Sequence, residues 1–376
     1  MQFISEDKEV HLLGFVTKSG GAAFTSSGDM VPTGVQRIGG PDKTYKGKGI
    51  GVAIIDTGID LTHPDLKNSI VAHTNCVGFS ASGDDDHGHG SHVAGTIAAA
   101  ENGTGVVGVA PKASLIAVKV LNAWGSGSWS SVICGIDWVT AHAAEYNIKV
   151  ANMSLGGWGS SDNNCGNTNG DAMHKAICKS AKKGVTYVVA AGNSYGWASS
   201  SVPAAYDDTL ITVSALADSD GKPFGMGTST SRGPDDTFAP FSNYGPEVDI
   251  GAPGVDIFSS YLDGQYTTMS GTSMASPHVA GAAALYLEAH PGSTWKNVRD
   301  GLRNTAYTFY SGHSDPSGNH PEPVLRLDFK NFLTQPSNRL QLLVPSNVPK
   351  FSISFKEERL PIVKSRLPIN IRRINR

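Results

Sequence analysis

The sequence predicts an α/β fold: a parallel, doubly wound sheet with helices on both faces. Three observations carry this. Gly51-Val52-Ala53-Ile54-Ile55 is a continuous β-branched run that stops at Asp56-Thr57-Gly58, the pattern of a strand buried on both faces. Similar runs recur at Ser114–Leu121, Val150–Leu155, Val185–Ala190 and, shorter, Leu210–Ala215. Helical stretches alternate with them, at Ser91–Ala100, Ser130–Glu145, Asn169–Lys183 and Ser273–His290.

Taken in order, residues 1–30 are mixed. Gln2–Ile4 reads as a short strand, and Thr17–Gly28, rich in Gly, Ser and Ala, reads as a linker. The strand Gly51–Ile55 opens the regular alternation. In the first helix, Gly90, Ser91, Ala94, Gly95, Ala98 and Ala99 are small enough for tight packing against neighbouring backbone. After the helix Ser273–His290 comes a shorter amphipathic segment, Thr294–Arg303, and a last apolar run, Val324–Leu327. Residues 31–329 thus form one domain. Residues 330–376 carry ten Lys/Arg against two Glu, with recurrent Pro and no helical period. They read as a basic, weakly ordered extension, either simply solvated or directed to an anionic partner such as a cell-wall polymer.

With 17% charged residues, 44 glycines and a net charge of −3, the composition points to a compact core with many tight turns and gives no global sign of nucleic-acid or membrane binding. No apolar run is long enough to span a membrane. Met1–Asp7 lacks the basic flank and apolar stretch of a secretory signal, so an export signal is expected upstream of this sequence. The four cysteines allow three pairings. Cys165 and Cys178 bracket one loop and the start of a helix, which favours that pair and leaves Cys76–Cys134; four free thiols are the alternative.

The chemistry sits at strand ends and helix starts. Asp56-Thr57-Gly58, Ser154 and Asn193 all fall at the carboxyl ends of expected strands, where ligands of parallel sheets gather. Two further patterns join them: His89-Gly90-Ser91-His92-Val93-Ala94-Gly95 and Gly271-Thr272-Ser273-Met274-Ala275-Ser276-Pro277-His278. A serine hydroxyl needs a base to take its proton, and the base needs a carboxylate to hold its tautomer. Ser273 opens a helix, so its N–H and the helix dipole face a developing oxyanion. Pro277 is expected in or just past the first turn, where a missing N–H costs little. His92 and His278 read as packing histidines and His87 as a loop residue. A zinc site at His87, His89 and His92 beside Asp84–Asp86 would want His-Glu-x-x-His, which is absent. An α/β-hydrolase esterase would want Gly-x-Ser-x-Gly, where this chain has Gly271-Thr272-Ser273-Met274-Ala275. A non-catalytic binding protein is disfavoured because every catalytic position is filled.

These motifs resemble the subtilisin family of serine peptidases, and the similarity runs from about Val31 to Leu327. The order Asp, His, Ser is that of subtilisin itself. The resemblance implies a subtilisin-like fold and a broad serine endopeptidase acting, as a monomer, on extended protein substrates through an acyl-enzyme, with no nucleic-acid partner. It makes Asp56, His89 and Ser273 the triad and Asn193 the oxyanion donor. Ser154, Leu155, Gly156 and Gly157 would be one edge of the substrate cleft, and Gly125, Ser126 and Gly127 the other, with the peptide added as a strand between them. Trp129 and Val132 match the S4 pocket. Calcium is implied at Asp29, Asp65, Asn102 and the carbonyls of Ala100, Thr104 and Val106, an all-oxygen set; Asp249 matches a weaker second site. Phe3–Asp7 resembles the last strand of an inhibitory propeptide, which makes residues 1–30 a propeptide end plus linker. A secreted location follows from the cysteines and the resemblance.

Overall fold

The computed structural model describes residues 6–13, 15–16, 28–78, 80–308 and 312–328. The expected strand Gln2–Ile4, the linker residues 17–27 and the basic segment 330–376 lie outside them.

The central sheet has eight strands. Gly51–Asp56 lies in the middle, parallel to Ile148–Met153 on one side and Ser114–Lys119 on the other. Ile70–Asn75 closes one edge, again in parallel. On the other side Ile148–Met153 pairs with Thr186–Ala190, then Ile211–Ala217, then Ile250–Pro253, all in parallel. Thr237–Phe238 alone in this sheet runs antiparallel. The expected strands are thus found, with ends shifted by a few residues, and the run Val150–Leu155 divides into Ile148–Met153 and a separate strand, Leu155–Trp158.

The reason these runs are apolar at every position is visible in the core. Successive side chains of a strand point to opposite faces. Val52 and Ile54 enter one apolar cluster with Val93, Ile97, Val279 and Ala283, while Ala53 and Ile55 enter another with Val132, Ile136 and Ile177. The helices His89–Ala98 and Thr272–Ala289 therefore cover one face, and Trp129–His142 and Ala172–Ala181 the other. Side chains set the helix starts: Ser128 caps Trp129–His142, Asp171 accepts from Met173 N and His174 N, and Thr294 caps Trp295–Thr305. The final apolar run forms no regular strand; Val324 bridges to Gly251 and Tyr307.

The cysteines form disulfides Cys76–Cys134 and Cys165–Cys178. Two smaller sheets flank the main one. A hairpin, Ile257–Ser260 with Tyr266–Ser270, takes Phe15–Val16 as a third, antiparallel strand. The other has, in order, Ser201–Val202, Leu155–Trp158, Glu9–Leu12 and Ser126–Ser128.

Candidate active site

Asp56 ends its strand fully buried, and His89 opens the helix His89–Ala98. His89 Nδ1 donates to Asp56 Oδ1 at 2.8 Å, and Thr57 N donates to the same oxygen at 2.7 Å. The approach is close because residue 90 has no side chain: a Cβ on Gly90 would lie 2.0 Å from Gly58 O. Asp85 fixes the start of the helix. Its Oδ1 accepts from His87 N and Gly88 N, and its Oδ2 accepts from Ser91 N and Ser91 Oγ. His89 Nε2, the nitrogen that faces away from Asp56, has no hydrogen-bond partner.

Ser273 is the second residue of the helix Thr272–Ala289. Its hydroxyl donates to Ser154 O at 2.9 Å, and Ser154 Oγ donates in return to Ser273 O at 2.9 Å. Pro277 lies inside the helix, just past its first turn as expected, but its missing N–H is not without consequence there. Proline has no N–H for the carbonyl four residues back, that of Ser273, and Ser154 supplies the missing donor. Asn193 follows the strand Thr186–Ala190. Its Oδ1 accepts from Thr272 N and Thr272 Oγ1, both at 2.9 Å, which leaves Nδ2 turned into the cleft.

The cleft holds the chain's own N-terminal segment. Glu9–Leu12 is a strand between Ser126–Ser128 and Leu155–Trp158, antiparallel to both. Leu12 N donates to Gly125 O at 3.1 Å and Leu13 N to Ser154 O at 3.3 Å. The carbonyl of Leu13 receives two bonds, from Ser273 N at 3.3 Å and from Asn193 Nδ2. Past Gly14, Phe15 and Val16 pair with Ser270 and Met269. The chain thus runs through the site on both sides of Leu13. The strand at this position is Glu9–Leu12, not Phe3–Asp7: residues 3–5 lie outside the described ones, and Glu6–Lys8 form no strand. Asp7 instead accepts from Ser130 N and Ser130 Oγ at the start of the helix Trp129–His142, which holds its carboxyl below the usual range.

Side chains of this segment fill pockets. Val10 is wholly enclosed in the cluster that contains Trp129, Val132 and Leu155. A Cβ on Gly125 would meet Leu12 Cδ1 at 2.6 Å, and one on Gly156 would meet Leu13 Cδ1 at 3.0 Å, so these glycines make room for the bound residues. Leu13 borders a cavity of about 290 Å³ walled by Gly156, Gly157, Trp158, Gly196 and Trp197.

The remaining candidates lie apart from this centre. Asp65 Oδ2 accepts from Val106 N and Tyr266 OH, and its Oδ1 from Asn102 Nδ2 at 3.1 Å. Asp29 Oδ1 accepts from Asn102 N and Gly103 N. Ala100 N donates to Asp65 O. Asn102 differs from the expectation: its Oδ1 accepts from Thr104 N, and its NH₂ faces Asp65. Asp249 meets Arg299 and Arg303 at 3.7 and 3.6 Å, so arginines stand where a second calcium was expected. His92 and His278 are fully buried and bond to the carbonyls of Ile257 and Met274; burial pulls them down to about 3 and about 4.

Sequence reasoning missed Asp85, Thr272 and the residues Val10 to Leu13. The run Val10-His11-Leu12-Leu13-Gly14 carried a signal, alternating apolar residues ending at a glycine, but no local clue to its partners.

Comparison with known proteins places this geometry in context. Residues 47–334 match the model of the Subtilase family. The chain is 42% identical to Subtilisin DY of Bacillus licheniformis over 71% of this chain and 89% of that one. It is 41% identical to Subtilisin Savinase of Lederbergia lenta over 77% of this chain and 96% of that one. The structure is similar to that of a cold adapted subtilisin-like serine proteinase, with a TM-score of 0.63 and 33% identity, covering 80% of this chain and 98% of the other.

Proposed function

The chain belongs to the subtilase family and is a serine endopeptidase, and we propose that Asp56, His89, Ser273 and Asn193 carry its chemistry. The Leu13 carbonyl carries this reading: it takes N–H donors from Ser273 and Asn193 while its flanking backbone is paired as a strand. In the reaction Ser273 turns its hydroxyl from Ser154 O to His89 Nε2. Oγ then attacks the carbonyl carbon, and its proton passes to Nε2. The two donors hold the oxyanion, and Asp56 stabilises the imidazolium through Nδ1–H. Collapse breaks the C–N bond, and His89 gives the proton to the leaving amine. Water repeats the sequence on the acyl–Ser273 ester and releases the acid.

In this reading the segment ending at Leu13 is the tail of an inhibitory propeptide, and Leu13–Gly14 is the processing bond. Specificity is broad, with apolar residues favoured at the positions of Val10, Leu12 and Leu13. The wild-type chain is expected to acquire Gly14 as a new N-terminus. Ser273→Ala is expected to stay intact and to leave casein uncut. Casein hydrolysis by Ser273→Ala, or a mature N-terminus remote from Gly14, overturns the assignment.

Calcium is proposed at Asp29, Asp65, Asn102 and the loop 100–106, where it would cross-link the loop to the turn that carries Asp65. The fit lies in the donor set. Turning the Asn102 amide over would set its Oδ1 beside Asp65 Oδ1, a meeting of two oxygens that a cation makes favourable. Asp65→Asn is expected to abolish the calcium-dependent protection of the loop 100–106 from hydrogen exchange. The enzyme is read as extracellular on the strength of its two disulfides. Among the described residues no helix is long and apolar enough to cross a membrane.

A further inference from the structure

Residues 218–236 form a loop far in sequence from every group assigned above. It begins where the strand Ile211–Ala217 ends, with Asp218-Ser219-Asp220-Gly221, and closes at Asp235-Asp236. Asp218, Asp220 and Asp235 each offer a carboxylate oxygen, and these oxygens lie within 4.8 Å of one another. With calcium–oxygen bonds of about 2.4 Å, that spread is the full diameter of one coordination sphere; magnesium, at about 2.1 Å, would need a tighter group.

Of the four carboxylates gathered here, those of Asp218, Asp220, Asp235 and Asp236, Arg37 meets two, Asp218 at 3.7 Å and Asp236 at 2.6 Å. Arg37 Nε is spent on Asp236 Oδ1 at 2.6 Å, and Arg37 Nη2 donates to Gly312 O at 2.8 Å. Asp235 is held in place by Ser219 N on Oδ1 and Gly227 N on Oδ2. Asp218 is the informative member. Its side chain is 0% exposed, its Oδ2 accepts from Gly221 N, and its Oδ1 accepts no hydrogen bond, with Arg37 Nε at 3.7 Å. An enclosed carboxylate oxygen without a donor is costly to leave so.

We propose that Asp218, Asp220 and Asp235 bind a calcium ion that pins the loop 218–236 to the end of the sheet. The cation supplies the close partner that Asp218 Oδ1 lacks. Asp220, the half-buried member, is the side from which the ion enters. The site shares no residue with the gathering at Asp29, Asp65 and Asn102. Its role is to hold the loop, not to touch substrate.

The test is hydrogen exchange by mass spectrometry on the full chain carrying Ser273→Ala, which removes self-digestion. Calcium is the probe, at ten times its dissociation constant. Amides of 218–227 are expected to exchange about tenfold more slowly with calcium than with chelator. Adding Asp220→Asn should remove that protection and leave any response of 100–106 unchanged. Unaltered exchange across 51–56 shows that the variant is folded. The proposal is overturned if calcium leaves 218–227 unprotected in the Ser273→Ala protein, or if Asp220→Asn gives the same protection.

Discussion

Ser154 and Pro277 meet at the Ser273 carbonyl, and this triangle yields a quantitative expectation. Ser154→Ala deletes the donor to Ser273 O, and Pro277 has no N–H to replace it. An orphaned buried acceptor costs about 1–3 kcal/mol. The same change strips Asn152 Nδ2 and Ser276 Oγ of a partner at 2.9 and 2.8 Å. The upper end, about 3 kcal/mol, is therefore expected, close to a hundredfold faster unfolding where these contacts break before the transition state. Pro277→Ala alone should change the rate by no more than about fivefold, through the greater freedom of the unfolded chain. In the double variant the backbone N–H gained at position 277 reaches Ser273 O and restores about 1–1.5 kcal/mol. The double variant should then unfold about tenfold more slowly than the two single effects combined. The assay is the unfolding rate in guanidinium, read by tryptophan fluorescence in the Ser273→Ala background. Independent effects, with combined rates multiplying to within about twofold, would refute the assignment of Ser154 as the substitute donor.

Three other outcomes follow from the same structure. Asn193→Ala should lower kcat about 10²–10³-fold with little change in KM, a magnitude carried over from subtilisin rather than worked from these contacts; an unchanged kcat in a chromogenic peptide assay would exclude the amide as oxyanion donor. His92 and His278 are neutral when folded and titrate near 6.5 when unfolded. Through these two groups unfolding takes up as many as two protons as pH falls from about 6.5 toward 4, and their contribution should drop by up to about 2.7 kcal/mol per pH unit there. His278→Gln should remove about half of that slope, measured as unfolding rate against pH, and an unaltered slope counts against it. Opening Cys165–Cys178, which spans 13 residues, should cost about 3 kcal/mol, and opening Cys76–Cys134, which spans 58, about 4 kcal/mol. Thermal unfolding of the paired serine variants orders the two, and a larger loss at Cys165–Cys178 would contradict loop closure as the cause.

What the sequence disclosed followed how locally each element is determined. Strands buried on both faces, such as Gly51–Asp56, show as unbroken apolar runs, because each side chain meets a helix whichever way it points. The edge strand Ile70–Asn75 was missed because only half of it is covered, so Ala72 alternates with polar His73 and Thr74. The hairpin Ile257–Ser260 with Tyr266–Ser270 is rich in Ser and Thr; its buried hydroxyls are met by distant groups, as Ser259 Oγ is by His92 O. The cost of Pro277 was misread for the same reason. It is removed by Ser154, more than a hundred residues away, and no local rule reports that.

The site divides along the same line. Asp56, His89, Asn193 and Ser273 sit in short motifs whose backbone demands are local: a strand end, a glycine-lined approach, a helix start. The segment that fills the cleft does not. Glu9–Leu12 alternates apolar Val10 and Leu12 with polar residues but has no turn that sets its register. Its position is fixed by Gly125 O, Ser154 O and the two donors to Leu13 O, all remote in sequence. A substrate's register is set in the same way, by a cleft that offers backbone partners and two apolar pockets rather than by the peptide's own fold. The strand was illegible from its residues because it binds as a substrate does, and any extended chain with suitable side chains should be able to take its place.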